Sequence, residues 1–246
     1  MKLSELKPEE NWKILIFGDS GAGKTIFSTS FPGPVHVCDF DLKISSAASF
    51  YKGSDQLDKI SYEQYPFNQK KPGESGRKFN DHMGELKKAA EEGKFPYKTL
   101  VIDSLTTASD RLMEYLMSQN PGIKRTVTKG GQAPALQDYG VFRIFMKQFI
   151  SEVINFPCNV IFTAHIETVK DEDSGRVLNI PMLTGKLAKE LPIYFEEVYL
   201  AKVAGEGAQR KYMLQTQSDR KFNCRTQRGL PVEIESSYES LCKSSK

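Results

Sequence analysis

Gly18, Gly21, Gly23, Lys24 and Thr25 stand at the spacing G-x-x-x-x-G-K-[ST] within GDSGAGKT, residues 18–25. A chain of phosphates needs convergent N–H donors, a mobile cation and a hydroxyl able to join a magnesium shell, and this octet offers all three. The glycines let the loop amides, those of Asp19, Ser20 and Ala22 among them, turn inward around an anion. Lys24 is expected to reach the β- and γ-phosphates and Thr25 to place its hydroxyl on Mg²⁺. Ile26 lies in the first turn of a helix whose positive dipole end faces the same anion. A nucleoside triphosphate with Mg²⁺ is the expected ligand.

Three further groups have chemistry suited to such a ligand. Asp103 ends the apolar run TLVID, so its carboxylate is expected to leave the carboxyl end of a buried strand, where parallel α/β sheets hold ligands, and to serve Mg²⁺ with Ser104 orienting it. The competing reading is a cap for the following helix, because Leu105, Ala108, Leu112 and Leu116 recur at helical spacing. Asp39 and Asp41 form an acidic cluster that closes a second strand-like run in VHVCDFD, where they can cap or solvate a strand-to-helix turn. His165 ends a third, NVIFTA, and an imidazole there can donate to a phosphate oxygen.

The elements that must position these groups follow from the pattern. Residues 13–17 (KILIF) read as a strand buried on both faces, and the helix after the loop is stopped by Pro32 and Gly33. Residues 67–80 read as an exposed loop, 81–92 as a helix closed by Gly93, and 119–137 as a long basic loop. A helix over 136–156 is expected to bury Val141, Phe142, Phe145, Phe149 and Val153. A hairpin with its turn at 173–175 and a short helical segment at 184–190 come next, then strands at 198–203, 212–217 and 222–226. At 246 residues the chain fits one domain, with a core over about 12–232 and a dispensable tail over about 236–246. A net charge of +3 excludes a polycationic nucleic-acid coat. No apolar run reaches membrane-span length, and the polar start argues for a cytoplasmic protein with no membrane partner. Cys38, Cys158, Cys224 and Cys242 show no metal-ligand spacing and read as small hydrophobes in a reducing compartment.

Together GDSGAGKT, VHVCDFD, TLVIDS and IFTAHIE resemble the RecA-like P-loop ATPases, and more narrowly the short phage-encoded members of the single-strand annealing and recombination group. The resemblance spans about residues 12–232 and implies an α/β fold, a mostly parallel central sheet flanked by helices with antiparallel strands toward the C-terminus. It implies ATP and Mg²⁺ as cofactors and hydrolysis stimulated by single-stranded DNA in recombination, annealing or replication. It also implies a homo-oligomeric ring or filament, a phage single-strand-binding or recombination partner, and the host cytoplasm as location. Asp41 falls where the family carries its water-polarising acid, commonly glutamate, with Asp39 as fallback. His165 falls on its γ-phosphate sensor. Lys124, Arg125 and Lys129 in the basic loop, with the hairpin over 166–182, match its DNA-facing loops. Arg225 and Arg228, with Lys221 third, match residues that ring-forming members insert into a neighbour's γ-phosphate site. Alternatives are a nucleoside or nucleotide kinase, which the scattered arginines disfavour, and a nucleotide-binding loader with negligible hydrolysis. A GTPase is disfavoured because no [NT]-K-x-D tetrad follows Asp103.

Overall fold

The computed structural model describes residues 10–128, 131–170, 175 and 177–245. The strands are β1 (Lys13–Gly18), β2 (Val35–Asp39), β3 (Ile60–Gln64), β4 (Thr99–Asp103), β5 (Val127–Thr128), β6 (Gly131–Gln132), β7 (Asn159–Ala164), β8 (Ile166–Lys170), β9 (Val177–Pro181), β10 (Glu197–Ala204), β11 (Lys211–Gln215) and β12 (Glu233–Glu235). The helices are α1 (Lys24–Thr29), α2 (Ser45–Phe50), α3 (Glu74–Glu91), α4 (Leu105–Gln119), α5 (Leu136–Ile154), α6 (Leu187–Glu190) and α7 (Tyr238–Ser244).

Eight strands form one sheet in the order β12-β11-β10-β1-β7-β4-β2-β3. From β3 to β10 every pairing is parallel, and the β10-β11 and β11-β12 pairings are antiparallel. The apolar runs expected at 13–17, 99–103 and 159–164 are buried at every position of β1, β4 and β7, as central parallel strands covered on both faces must be. Apolar side chains divide between the two faces. One cluster joins Leu15, Phe162 and Leu100 to α3, α4 and α5; the other joins Ile14, Ile161 and Val101 to Phe27 of α1 and Leu241 of α7. Because the strands run the same way and Asp39 pairs with Asp103, and Phe17 with Ala164, their carboxyl ends gather at one edge of the sheet.

Several elements differ from expectation. Helix α3 begins at Glu74, inside the segment read as loop, because Gly76 allows α3 to lie against α4: a β-carbon there would stand 2.1 Å from the Arg111 carbonyl oxygen. Strand β3 was not foreseen, since an edge strand exposes residues that break the apolar pattern. In α5, Val141 is 45% exposed, while Met146 and Ile150 are fully buried in its stead. Residues 222–226 make only isolated bridges, through Phe222 to Asn179 and Arg225 to Val198, and β12 completes that end of the sheet. The tail expected to be dispensable is not loose: Ser237 caps α7 through a hydrogen bond from the Ser240 amide, Leu241 is fully buried, and Tyr238 packs on Phe31 with ring centroids 4.7 Å apart. Strands β8 and β9 pair as the expected hairpin; of its foreseen turn, Asp173 and Ser174 lie outside the described residues. No described helix is long and apolar enough to cross a membrane.

Candidate nucleotide-binding site

The loop of residues 18–25 joins β1 to α1 at the gathered strand ends. Gly23 carries φ +85, and a β-carbon there would approach the Tyr212 ring to 2.8 Å, so both backbone and space require glycine. Lys24 Nζ donates to the carbonyls of Gly18 at 2.8 Å and Asp19 at 2.9 Å, which leaves one of its three N–H bonds for a phosphate oxygen. Burial lowers the Lys24 ammonium from its ordinary range, against the attraction of Asp103, Asp41 and Asp19.

Asp103 sits 5% exposed two strands from the loop, across β7. The Thr25 hydroxyl donates to its Oδ2 at 2.6 Å, and the Thr163 hydroxyl donates to its Oδ1. Burial raises the Asp103 carboxyl, opposed by those two hydrogen bonds. While donating, the Thr25 oxygen keeps lone pairs that face the cavity, so hydroxyl and buried carboxylate together form an oxygen donor set suited to Mg²⁺. Ser104, expected to orient Asp103, instead donates to Asp41 and fills the competing role: its hydroxyl accepts from the Thr107 amide and caps α4, while Thr25 and Thr163 hold Asp103. Asp103 itself is directed at Thr25, so strand end and helix cap fall on adjacent residues.

Asp41 and His165, read separately in the sequence, are partners. His165 Nε2 donates to Asp41 Oδ2 at 2.8 Å, and Oδ1 accepts from Ser104 at 3.0 Å and from Thr107. Burial pushes the Asp41 carboxyl up, but the hydrogen bonds from His165, Thr107 and Ser104 prevail and hold it down at about 2. The fallback acid, Asp39, is occupied elsewhere: at 1% exposure it accepts from the Lys43 and Ile44 amides and from Gln64, securing the turn into α2. Lys24, Thr25, Asp41, Asp103 and His165 all line one cavity of about 600 Å³. Ser20, Gly21, Gly23 and Ile26 of the expected loop set line it too.

Sequence reasoning missed residues on the far wall of that cavity. Lys43, Phe50 and Tyr212 line it, and Arg210 donates to the Gly21 carbonyl at 3.2 Å while lying over the Tyr212 ring. No motif marks them, since they come from the turn after β2, from α2 and from the β10–β11 hairpin.

The residues assigned to DNA and to a neighbouring subunit are placed differently. Lys124 is exposed. Arg125 turns inward: its guanidinium grips Asp138 at the start of α5 with bonds of 2.8 and 2.7 Å, and its side chain is 1% exposed, so it is a fastening of the loop and not a phosphate contact. Lys129 lies outside the described residues. Arg225 donates to the carbonyls of Pro192, Ile193 and Phe195, and Arg228 covers the Trp12 ring at 3.9 Å and donates to the Asn11 carbonyl. Both arginines expected to reach a neighbour are thus engaged within their own chain; Lys221 is exposed beside a cleft that also contains Asp19.

A phosphate loop ending one central strand, an acid ending another and a polar residue ending the strand between them define a nucleotide-binding P-loop domain of the ATPase type. The chain belongs to the AAA domain family, whose model matches residues 10–226. Among solved structures, a prototypical ATPase from the type III secretion system of pathogenic bacteria is similar at 12% identity, with a TM-score of 0.49 over 78% of this chain and 51% of that one. The chain thus spans about half the length of that protein. No curated protein matches.

Proposed function

We propose that the protein binds and hydrolyses ATP with Mg²⁺ and uses the nucleotide state to control contact with single-stranded DNA. The observation that carries the nucleotide reading is the convergence of Lys24, Thr25, Asp103, Asp41 and His165 on one cavity. Phosphates would lie in the loop amides against Lys24, and Thr25 and Asp103 would hold Mg²⁺, which when bound offsets charge on the phosphate oxygens. The base has an apolar wall in Ile26, Phe50 and Tyr212. Asp41 retains about one free acceptor position after three hydrogen bonds and is weakly basic, so its role is to orient His165 and a water and not to remove a proton outright.

The DNA reading is supported by connectivity. His165 leads directly into β8; its amide donates to the Thr106 hydroxyl, and its carbonyl accepts from the Met182 amide just past β9. A γ-phosphate that competes with Asp41 for His165 would therefore pull on the hairpin, whose Lys170 together with exposed Lys124 could meet a phosphate backbone. ATP turnover measured with and without single-stranded DNA tests this; turnover that DNA leaves unchanged, with no salt-sensitive binding, sinks the DNA reading. A second reading, nucleotide binding with negligible turnover, is favoured by the three hydrogen bonds that already occupy Asp41 and by its weak basicity. ATP binding without hydrolysis, with or without DNA, would establish it. Assembly into a ring or filament, a recombination partner and a phage setting remain proposals that rest on the resemblance, and the contacts that Arg225 and Arg228 make within their own chain give assembly no support.

A further inference from the structure

On the face of β2 that packs against α3, His36 and Cys38 project together, and His82 of α3 meets them; none of the three lines the nucleotide cavity. One ring nitrogen of each histidine and the Cys38 sulfur lie within 4.8 Å of one another. We propose that His36, Cys38 and His82 form a site for one zinc ion, or a divalent transition metal of similar softness, independent of the nucleotide site.

Hydrogen bonding sets the tautomers this requires. The Ser61 hydroxyl donates to the Val35 carbonyl at 3.1 Å, so its contact with His36 Nδ1 at 2.9 Å is an N–H donated by the ring. That leaves His36 Nε2 as a bare lone pair, and it is buried with no hydrogen-bond partner in a residue only 6% exposed. An acceptor buried without a partner is destabilising in an apolar core and is what a metal would satisfy. The same logic governs His82. The Tyr65 hydroxyl donates to Glu63 at 2.8 Å, so His82 Nδ1, at 2.8 Å from that hydroxyl and 3.2 Å from Glu63, is the protonated nitrogen and Nε2 the free one. Both imidazoles thus donate their second N–H outward, as metal-bound histidines do. Burial, with His82 beside it, lowers His36 to about 4, so the ring is neutral near pH 7.

Two nitrogens and a sulfur suit zinc over Mg²⁺ or Ca²⁺, which prefer oxygen. Tetrahedral zinc sets such donors about 3.4–3.6 Å apart, so the cluster must contract by about 1 Å, a movement open to the partly exposed His82. The Cys38 thiol releases its proton to solvent as the sulfur–metal bond forms. A cleft of about 490 Å³ reaches His36 and His82 from solvent past Glu63, Asp81 and Glu85, giving an entry path and room for a water as fourth ligand. The ion would tie α3 to the edge of the sheet.

The full chain, stripped of metal and held in excess Mg²⁺, is to be titrated with Co²⁺ as a spectroscopic probe and then with Zn²⁺. One equivalent of Co²⁺ should produce a thiolate-to-cobalt charge-transfer band that Zn²⁺ abolishes. Cys38→Ser should remove the band, and His82→Ala should weaken Zn²⁺ at least about tenfold and cancel the rise in melting temperature that Zn²⁺ confers. Because Cys38 is fully buried and its variant can fail to fold, the His82→Ala arm decides alone. Absence of a thiolate band in the wild type, or equal Zn²⁺ affinity in wild type and His82→Ala, overturns the site.

Discussion

Asp41 accepts hydrogen bonds from His165, Ser104 and Thr107 before any substrate arrives, and those three bonds govern what it can do. Asn at this position keeps one acceptor oxygen but turns an N–H₂ toward a donor, so Asp41→Asn should unseat His165 and reduce ATP turnover with little change in nucleotide affinity. The charge also contributes stability. The folded carboxyl is depressed to about 2 from an ordinary 3.8, so the contribution, about 2 kcal/mol, is complete above the unfolded value and is lost as pH falls through the folded one. The stability gap between wild type and Asp41→Asn, followed by denaturant titration, should therefore close between about pH 4 and pH 2. Lys24→Ala should lower turnover by at least about 10²-fold, read by phosphate release, because its ammonium faces charge that builds during transfer. Tyr212→Ala should weaken ATP binding by about two- to tenfold, as loss of a stacking ring worth ~0.5–1.5 kcal/mol would, measured by calorimetry with a magnesium salt of a non-hydrolysable analogue. The loop residues were legible in the sequence because their chemistry is contiguous. Tyr212 was not, since nothing local to KYMLQ refers to a loop nearly two hundred positions earlier.

At the scale of elements, periodicity located the buried strands well and the surface elements poorly. β1, β4 and β7 are apolar throughout because helices cover both faces, whereas β3 at the sheet edge mixes Ser61, Tyr62 and Glu63 and gives no period. Helix α3 shows the limit of composition. Gly73, Gly76 and the basic residues of 67–80 read as loop, yet Gly76 is the point at which α3 crosses α4, and Phe79 is fully buried beyond it. Gly76→Ala should thus be destabilising despite the better helix propensity of alanine: the contact at 2.1 Å forces the helices apart, at a cost of about 1–3 kcal/mol in chemical denaturation. The long basic loop likewise has an anchor that its sequence hides, the Arg125–Asp138 pair, which converts a residue of apparent surface charge into a buried clamp.

At the scale of the whole molecule, the C-terminal helix closes the face of the sheet that carries α1. Removing residues 237–246 would uncover Leu241's site and Phe31, so the truncated chain should lose more than about 2 kcal/mol and melt about 5 °C lower by calorimetry, where a free tail would change nothing. The sequence alone determined the α/β class, the phosphate loop and the strand that ends in Asp103, because each is written in adjacent residues whose period or spacing is itself the physical requirement. Tertiary structure alone decided that Asp41 holds His165, that Arg125 is buried against Asp138, that Arg225 and Arg228 bond within their own chain, and that His36, Cys38 and His82 stand together. Those pairings are made by the order in which parallel strands align, and that order, unlike a motif, is set by long-range burial and register.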